Sequence, residues 1–187
     1  MDLPHDSAEV PPRVLRSETL HRGRVFDVVR EEIELASGLR QSLSIVRHPG
    51  AVGVVALFPD GSVALVRQYR HAIGRELLEI PAGRLEAGEA PESAALRELE
   101  EETGLRGSHP ESLGSFFPAP GFCSEELHLF VVRDPRPAGV DRAPQDADEE
   151  LSVRIVPLAL ALELCSQDAK SWIALTRLAQ RESQVRR

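Results

Sequence analysis

The sequence has 187 residues, enough for one domain with a sizeable core, and its 42% hydrophobic content is typical of soluble globular proteins. The formal net charge of −8 argues against a general nucleic-acid-binding protein, because such proteins need a basic surface. No apolar run approaches the length that spans a membrane, so a membrane protein is not expected either.

The N-terminal stretch 1–14 is polar, contains prolines and lacks the apolar core of a signal sequence. We therefore expect a disordered tip over 1–14 and a cytoplasmic protein.

The two cysteines, Cys123 and Cys165, belong to no CxxC pair, so no zinc or redox motif is visible. Two reduced thiols are favoured over a disulfide.

Residues 15–47 show the alternation of a β-sheet. Ile33 and Leu35 alternate with glutamates, and a turn signal follows at 36–38. The pattern predicts an antiparallel hairpin or meander. Because such a small sheet needs a cover for one face, a partner subunit is a candidate for that role. We interpret 15–47 as a dimerisation region and 48–187 as the main domain.

The main domain opens with a nearly continuous apolar run at 51–57, which predicts a strand that is buried on both faces. A turn signal at 59–61 leads into a second strand at 63–66, and Arg67 and Arg70 follow directly. These arginines would be plain edge residues or ligands of a phosphate group, which arginine binds in a bidentate manner. Their place just upstream of a glycine loop and an acidic helix at 83–103 favours the second interpretation.

A short strand at 76–80 leads into a loop that starts at Gly83, a residue that permits backbone geometries other residues resist. The helix that follows is predicted from Ala90 to Thr103. Pro91 suits its first turn and Gly104 suits the position just past its end.

Three carboxylates share one face of this helix, because Glu98, Glu101 and Glu102 are spaced i, i+3 and i+4. Like charges at this spacing repel, and a hard divalent cation such as Mg²⁺ removes the conflict. Arg97 lies four residues before Glu101 and would hold its carboxylate in orientation. The alternative is a solvated acidic helix without a ligand. The first interpretation predicts a metal-dependent phosphate or pyrophosphate site.

The full spacing of this stretch resembles a complete Nudix box: Gly83-x5-Glu89-x7-Arg97-Glu98-Leu99-x-Glu101-Glu102-x-Gly104-Leu105. The resemblance implies hydrolysis of a nucleoside diphosphate linked to another moiety. It also implies two or three Mg²⁺ ions, with Mn²⁺ as an alternative, on Glu98, Glu101, Glu102 and the carbonyl of Ala82. Glu89 has a supporting role in the family, although it would also suit the helix N-terminus.

Three further stretches are similar to the ADP-ribose pyrophosphatase branch of the Nudix superfamily. Pro120 follows Leu105 by 15 residues and precedes Gly121 and the Ser124–Glu125 pair, and the runs 68–70 and 79–83 match as well. The resemblance implies that Arg70 contacts the pyrophosphate and that Glu125 contacts the ribose side of the substrate. Arg67 and Glu79 are also assigned to substrate binding.

An acidic run at 146–150 follows an irregular segment. Such a run is usually solvated, but the same branch has an acidic loop here whose glutamate orients or deprotonates the attacking water. Glu149 is the best match for that general base, with Asp148, Glu150 and Asp146 behind it.

The remaining elements are predicted to be packing elements. Strands are expected at 113–117 and, half-buried, at 127–132, and helices at 157–165 and 168–180. Asp168 is a good N-cap for the last helix. Trp172 is assigned to the core, with a base-stacking platform as the alternative.

The expected fold is α/β, a Nudix-type α/β/α sandwich with a mixed sheet plus a small N-terminal antiparallel sheet. By resemblance, a homodimer would hydrolyse a small-molecule nucleotide sugar, ADP-ribose, to AMP and ribose 5-phosphate, with Arg97, Glu101 and Glu149 as catalytic residues. The alternatives are a GDP-mannose or other nucleotide-sugar hydrolase, a dinucleoside polyphosphate or oxidised-nucleotide hydrolase, and a non-catalytic ADP-ribose sensor.

Overall fold

The computed structural model of the protein describes residues 10–139 and 151–185. They form two compact units, one made of the chain up to residue 48 with 119–124, the other of 49–118 with the chain from 125 onward. The strands are β1 (Arg13–Arg22), β2 (Asp27–Glu34), β3 (Arg40–Arg47), β4 (Ala51–Leu57), β5 (Ser62–Arg70), β6 (Arg75–Glu79), β7 (Ala82–Arg84), β8 (Leu105–Arg106), β9 (Glu111–Phe116), β10 (Leu127–Arg133), β11 (Arg136–Pro137) and β12 (Ser152–Pro157). The helices are α1 (Pro91–Thr103), α2 (Leu158–Leu164) and α3 (Ala169–Val185), with one 3₁₀ turn at His71–Ile73.

The first unit is an antiparallel meander in the order β1-β2-β3, as the alternating pattern predicted. Along β2 every second side chain is buried, namely Val29, Glu31 and Ile33. The buried carboxylate of Glu31 accepts a hydrogen bond from Arg47 Nη2 at 2.7 Å. Strand β1 already begins at Arg13, and residues 1–9 of the predicted tip lie outside the described residues.

The second unit is built on a seven-stranded mixed sheet with the path β12-β5-β4-β10-β9. Strands β4 and β10 run parallel, and the other pairs are antiparallel. Strands β4 and β5 pair only at 56–57 with 63–64, and beyond that point β7 pairs with β4 and β6 pairs with β5. The segment 79–84 therefore crosses between two core strands where they diverge.

Side chains of β4 alternate between two hydrophobic cores, and all seven of its residues are buried, as predicted for the run 51–57. Val52, Val54 and Ala56 pack with Leu99 of α1 on one face. Ala51, Val55 and Leu57 pack on the other face with residues from α2, its C-cap and α3, namely Ala161, Cys165, Ala174, Leu175 and Leu178. The layers are thus helix, sheet and helices, which confirms the predicted sandwich.

Two packing predictions were wrong. Strand β10 is not half-buried, because it lies beside β4 inside the sheet and sends Leu129 and Val131 to one core and Phe130 and Val132 to the other. Trp172 is 45% exposed, since Ala174, Leu175 and Leu178 form the buried stripe of α3.

Both cysteines are free thiols, Cys123 half-buried and Cys165 buried.

Among the residues described, no helix combines the length and apolar character needed to cross a membrane.

Candidate active site

The acidic helix α1 ends at Thr103, as its sequence predicted, and begins at Pro91, one residue after the predicted start. Pro91 occupies the first turn after the extended residue Ala90, and Gly104 ends the helix in the left-handed region with φ of 68°. Leu99 faces the core, and on the adjoining face the side chains of Glu98 and Glu102 are also buried, with residue exposures of 8% and 6%. Burial of two carboxylates one turn apart is costly unless a partner balances their charge, so this face is a candidate site.

Strand β7 receives both buried carboxylates. The backbone N–H of Ala82 donates to Glu102 Oε2 at 3.0 Å. A Cβ on Gly83 would overlap the carboxylate of Glu98, which lies directly over this residue. Gly83 is part of a strand and has no positive φ, so the prediction that it provides unusual backbone geometry was wrong. Its role is to leave space for Glu98.

Arg97 holds three glutamates together. Its Nη1 donates to Glu98 at 2.6 Å and to Glu101 at 2.9 Å, which includes the predicted i, i+4 pair. Its Nε and Nη2 donate to both oxygens of Glu89 at 2.9 Å. The hydrogen bonds with Glu89 are the main cause that raises the pKa of Arg97 and lowers the pKa of Glu89. Glu89 therefore links the loop between β7 and α1 to the helix itself, and it does not cap the N-terminus of the helix.

A second cluster surrounds Glu79, whose side chain is 1% exposed. Both of its oxygens accept hydrogen bonds from Arg70, from Nε at 2.8 Å and from Nη2 at 2.6 Å. Lys170 Nζ contacts the same carboxylate and also Asp168 Oδ2, the latter at 3.0 Å. Burial alone would raise the pKa of Glu79, but Arg70 and Lys170 outweigh it and hold this pKa below its ordinary value.

The predicted substrate-binding residues gather at one end of the main sheet. Arg67 and Arg70 lie at the carboxyl end of β5, and Arg67 is within 3.5 Å of Glu76. The half-buried Glu125 lies two residues before Leu127, the register partner of the first residue of β4. Strand β7 pairs with the same end of β4. The topology thus brings β7, both arginines and Glu125 to the same end of the main sheet.

The run 146–150, and with it Glu149, lies outside the described residues, so the general base stays a prediction. Sequence reasoning missed the part that Lys170 and Ser171 take in the Glu79 cluster. The chemistry of Lys170 was a usable signal, because it is the only lysine in the chain.

The donor set on α1 fits a hard divalent cation. No three His, Cys, Asp or Glu side chains form a ready-made metal cluster within 10–139 and 151–185. Mg²⁺, however, is usually held by one or two carboxylates together with substrate phosphates and water. Glu98 and Glu102 provide two buried carboxylates against β7, and a cationic nitrogen of Arg97 already lies between Glu98 and Glu101.

Comparison with known proteins agrees with this geometry. The NUDIX domain family matches residues 47–176. An ADP-ribose pyrophosphatase of Bacillus subtilis is 37% identical over 91% of this chain and 94% of its own length. A methanol dehydrogenase activator of Bacillus methanolicus has the same identity and coverage. A crystal structure of an ADP compounds hydrolase superposes with a TM-score of 0.81 at 25% identity, covering 96% of this chain and 98% of the other.

The chain therefore belongs to the NUDIX domain family. It is a Nudix hydrolase of the ADP-ribose and ADP-sugar pyrophosphatase kind, as the box and the flanking stretches predicted.

Proposed function

We propose that the protein hydrolyses the pyrophosphate bond of ADP-ribose to AMP and ribose 5-phosphate in a reaction that depends on Mg²⁺ or Mn²⁺. The observation that carries the proposal is the pair of buried carboxylates, Glu98 and Glu102, held against β7 on the box helix. An acidic site beside two arginines suits a substrate that binds through its diphosphate.

The metal would be held by Glu98, Glu101, Glu102 and the carbonyl of Ala82. When bound, a divalent cation neutralises phosphate charge and makes a nearby water more acidic. Arg97 keeps Glu98 and Glu101 in orientation through its two hydrogen bonds from Nη1.

The substrate would be bound by the arginines at the end of β5 and by Glu125. Arg70 uses Nε and Nη2 for Glu79, so its Nη1 edge points away from that carboxylate and is the edge a phosphate would approach. Arg67 lies on the same strand and its side chain is 38% exposed. Glu125 would contact the ribose side, and Glu79 would act through Arg70.

Water attacks one phosphorus, and the other phosphate leaves. Glu149 is the proposed acceptor of the water's proton, with Asp148, Glu150 and Asp146 as the alternatives. The charge that develops on the leaving phosphate would be held by Arg70. No covalent bond to the protein is needed, since positioning and charge neutralisation account for most catalysis of phosphoryl transfer.

The test is a substrate panel with Mg²⁺ and, separately, Mn²⁺: ADP-ribose, GDP-mannose, a diadenosine polyphosphate and an oxidised dGTP. We expect the highest kcat/KM for ADP-ribose, with AMP and ribose 5-phosphate as products. A clear preference for GDP-mannose would keep the box chemistry and replace the substrate. Tight binding of ADP-ribose without turnover would make the protein a sensor. The methanol dehydrogenase activator is as similar to this chain as the Bacillus subtilis ADP-ribose pyrophosphatase, and its name does not give a substrate. The substrate therefore has to be measured directly.

We also propose a cytoplasmic homodimer in which 15–47 is the contact region. Support comes from apolar side chains that remain exposed in the first unit, among them Val14, Leu20, Phe26 and Leu43. Light scattering should give the mass of a dimer for the full chain, and a chain without residues 1–46 should be monomeric or insoluble. A folded dimer without these residues would refute the proposal.

A further inference from the structure

Lys170 is chemically unique in this chain. Of the 22 lysine and arginine residues it is the only lysine, and it stands as the second residue of α3. Its side chain is 15% exposed, in contrast to a solvated surface lysine. A lysine at this place is a compact point charge on a flexible stem, and it can reach between two carboxylates where a planar guanidinium would have to align with one.

Lys170 takes part in a row of alternating charges. Arg70 holds Glu79 with two hydrogen bonds, Glu79 contacts Lys170 Nζ, and Lys170 Nζ lies 3.0 Å from Asp168 Oδ2. The four side chains carry two positive and two negative charges. Removal of the lysine charge would leave Arg70 as the one cation of this row, beside a buried glutamate and an aspartate.

The same turn of α3 also fixes the backbone that leads to the box. Asp168 caps the helix by accepting the N–H of Ser171 at 3.1 Å, and the hydroxyl of Ser171 donates to it. The fully buried Ser171 Oγ in turn accepts the N–H of Ile80 at 2.8 Å. Ile80 lies two residues before Ala82, whose N–H holds Glu102. The start of α3 therefore positions the backbone at Ile80 and the carboxylate of Glu79, and both residues precede β7.

We propose that Lys170 is a positioning residue for substrate binding, which keeps Glu79 in place and leaves the charge of Arg70 available to an anionic diphosphate. The inference rests on the proposed pyrophosphate site. Lys170 itself is largely buried behind Glu79 and acts through Arg70. Because Glu79 already has a second cation in Lys170, an anion that binds Arg70 does not have to compete for the only counter-charge of a buried carboxylate.

The test is a double-mutant cycle on Lys170 and Arg70. Lys170→Met removes the charge and keeps the length of the side chain, and Lys170→Arg restores a charge. We expect Lys170→Met to raise KM for ADP-ribose about tenfold with a smaller change in kcat, as expected when ground-state binding is lost. Lys170→Arg should recover part of that loss. In an Arg70→Met background, the further effect of Lys170→Met on KM should fall to less than about twofold.

Arg133→Met is the matched control, because Arg133 at the end of β10 ties the other end of α3 to the sheet through Glu182. It should lower Tm without changing KM. If Lys170→Met lowers Tm and leaves KM unchanged, or if its effect persists in full without Arg70, Lys170 is only structural and the inference is wrong.

The activity of the wild type shows separately whether the proposed function fails. If the wild type does not cleave ADP-ribose, the same cycle is measured as the affinity for magnesium pyrophosphate by calorimetry. Loss of affinity in Lys170→Met that depends on Arg70 would then still support the positioning role, and equal affinities in all variants would overturn it.

Discussion

Arg97 and Arg70 both hold buried or half-buried glutamates in the main unit, but the balance of charge around them differs. Arg97 serves three carboxylates, those of Glu89, Glu98 and Glu101. Around Glu79 the charges are equal in number, since Arg70 and Lys170 face Glu79 and Asp168, and Glu79 itself contacts both cations. The excess of carboxylates around Arg97 suits a bound cation, whereas the second cation on Glu79 leaves the charge of Arg70 available to an anion.

We call the carboxylates of α1 with Arg97 the cation side, and the Glu79 cluster with Arg70 and Lys170 the anion side. The largest expected effect comes from removal of negative charge on the cation side. Glu98→Gln and Glu102→Gln should each lower kcat/KM for ADP-ribose about a thousandfold, because a neutral amide binds Mg²⁺ far less well than a carboxylate. Glu100→Gln is the control, since Glu100 lies on the same helix but pairs with Arg106. Equal activity of all three variants would show that α1 is only an acidic helix.

A methyl group at Gly83 should disturb the same cluster without any change of charge. Gly83→Ala has to displace the carboxylate of Glu98, so we expect kcat/KM to fall about a hundredfold with a small change in Tm. Gly53→Ala is the contrasting variant, because its new Cβ would meet apolar side-chain atoms, with Ile80 Cδ1 at 3.0 Å and Leu129 Cδ2 at 3.1 Å as the nearest. It should lower Tm and keep the activity. Full activity of Gly83→Ala would contradict the role assigned to this glycine.

The anion side should be visible in the pH dependence of stability. The folded state lowers the pKa of Glu79 below 4.5, so the unfolded state binds more protons and the free energy of unfolding decreases as the pH falls below this value. This contribution is complete above pH 4.5 and is lost as the pH passes through the lower folded pKa. Urea titrations between neutral and acidic pH should show a shallower loss for Glu79→Gln. Identical slopes for this variant and the wild type would mean that Arg70 and Lys170 do not stabilise the ionised form.

The smallest effect concerns Cys165, which lies close in the chain to Asp168 and Lys170 of the Glu79 cluster. Burial, together with the charge of Asp168, raises the pKa of Cys165 to about 12, although Lys170 opposes the shift. A thiol reagent at neutral pH should therefore modify Cys123 and spare Cys165 until the protein unfolds. Rapid reaction of both thiols in the folded protein would show that the region around α3 opens readily.

Much of the cation side was readable from the sequence, because its information is local. Helix α1, its proline and glycine ends and the i, i+4 pair of Arg97 and Glu101 all follow from spacing within one segment. The buried strand β4 was equally clear, since a short apolar run that ends at a turn signal is typical of a strand covered on both faces.

The anion side was not readable in the same way, because Glu79 and Lys170 are separated by 91 positions in the chain. The reason for Gly83 was also hidden, since the space it leaves is defined by Glu98 on another element. Trp172 was misassigned because an apolar stripe on a helix does not show which of its edges meets the sheet.

The central claim is that α1 binds the cation and that Arg70 with Lys170 prepares the anion site. The most direct test is the binding of Mn²⁺, followed by electron paramagnetic resonance without substrate, for the wild type, Glu98→Gln and Lys170→Met. The account predicts that Glu98→Gln weakens Mn²⁺ binding about tenfold or more, while Lys170→Met leaves it unchanged. Unchanged binding in Glu98→Gln, or a loss in Lys170→Met as large as in Glu98→Gln, would contradict it.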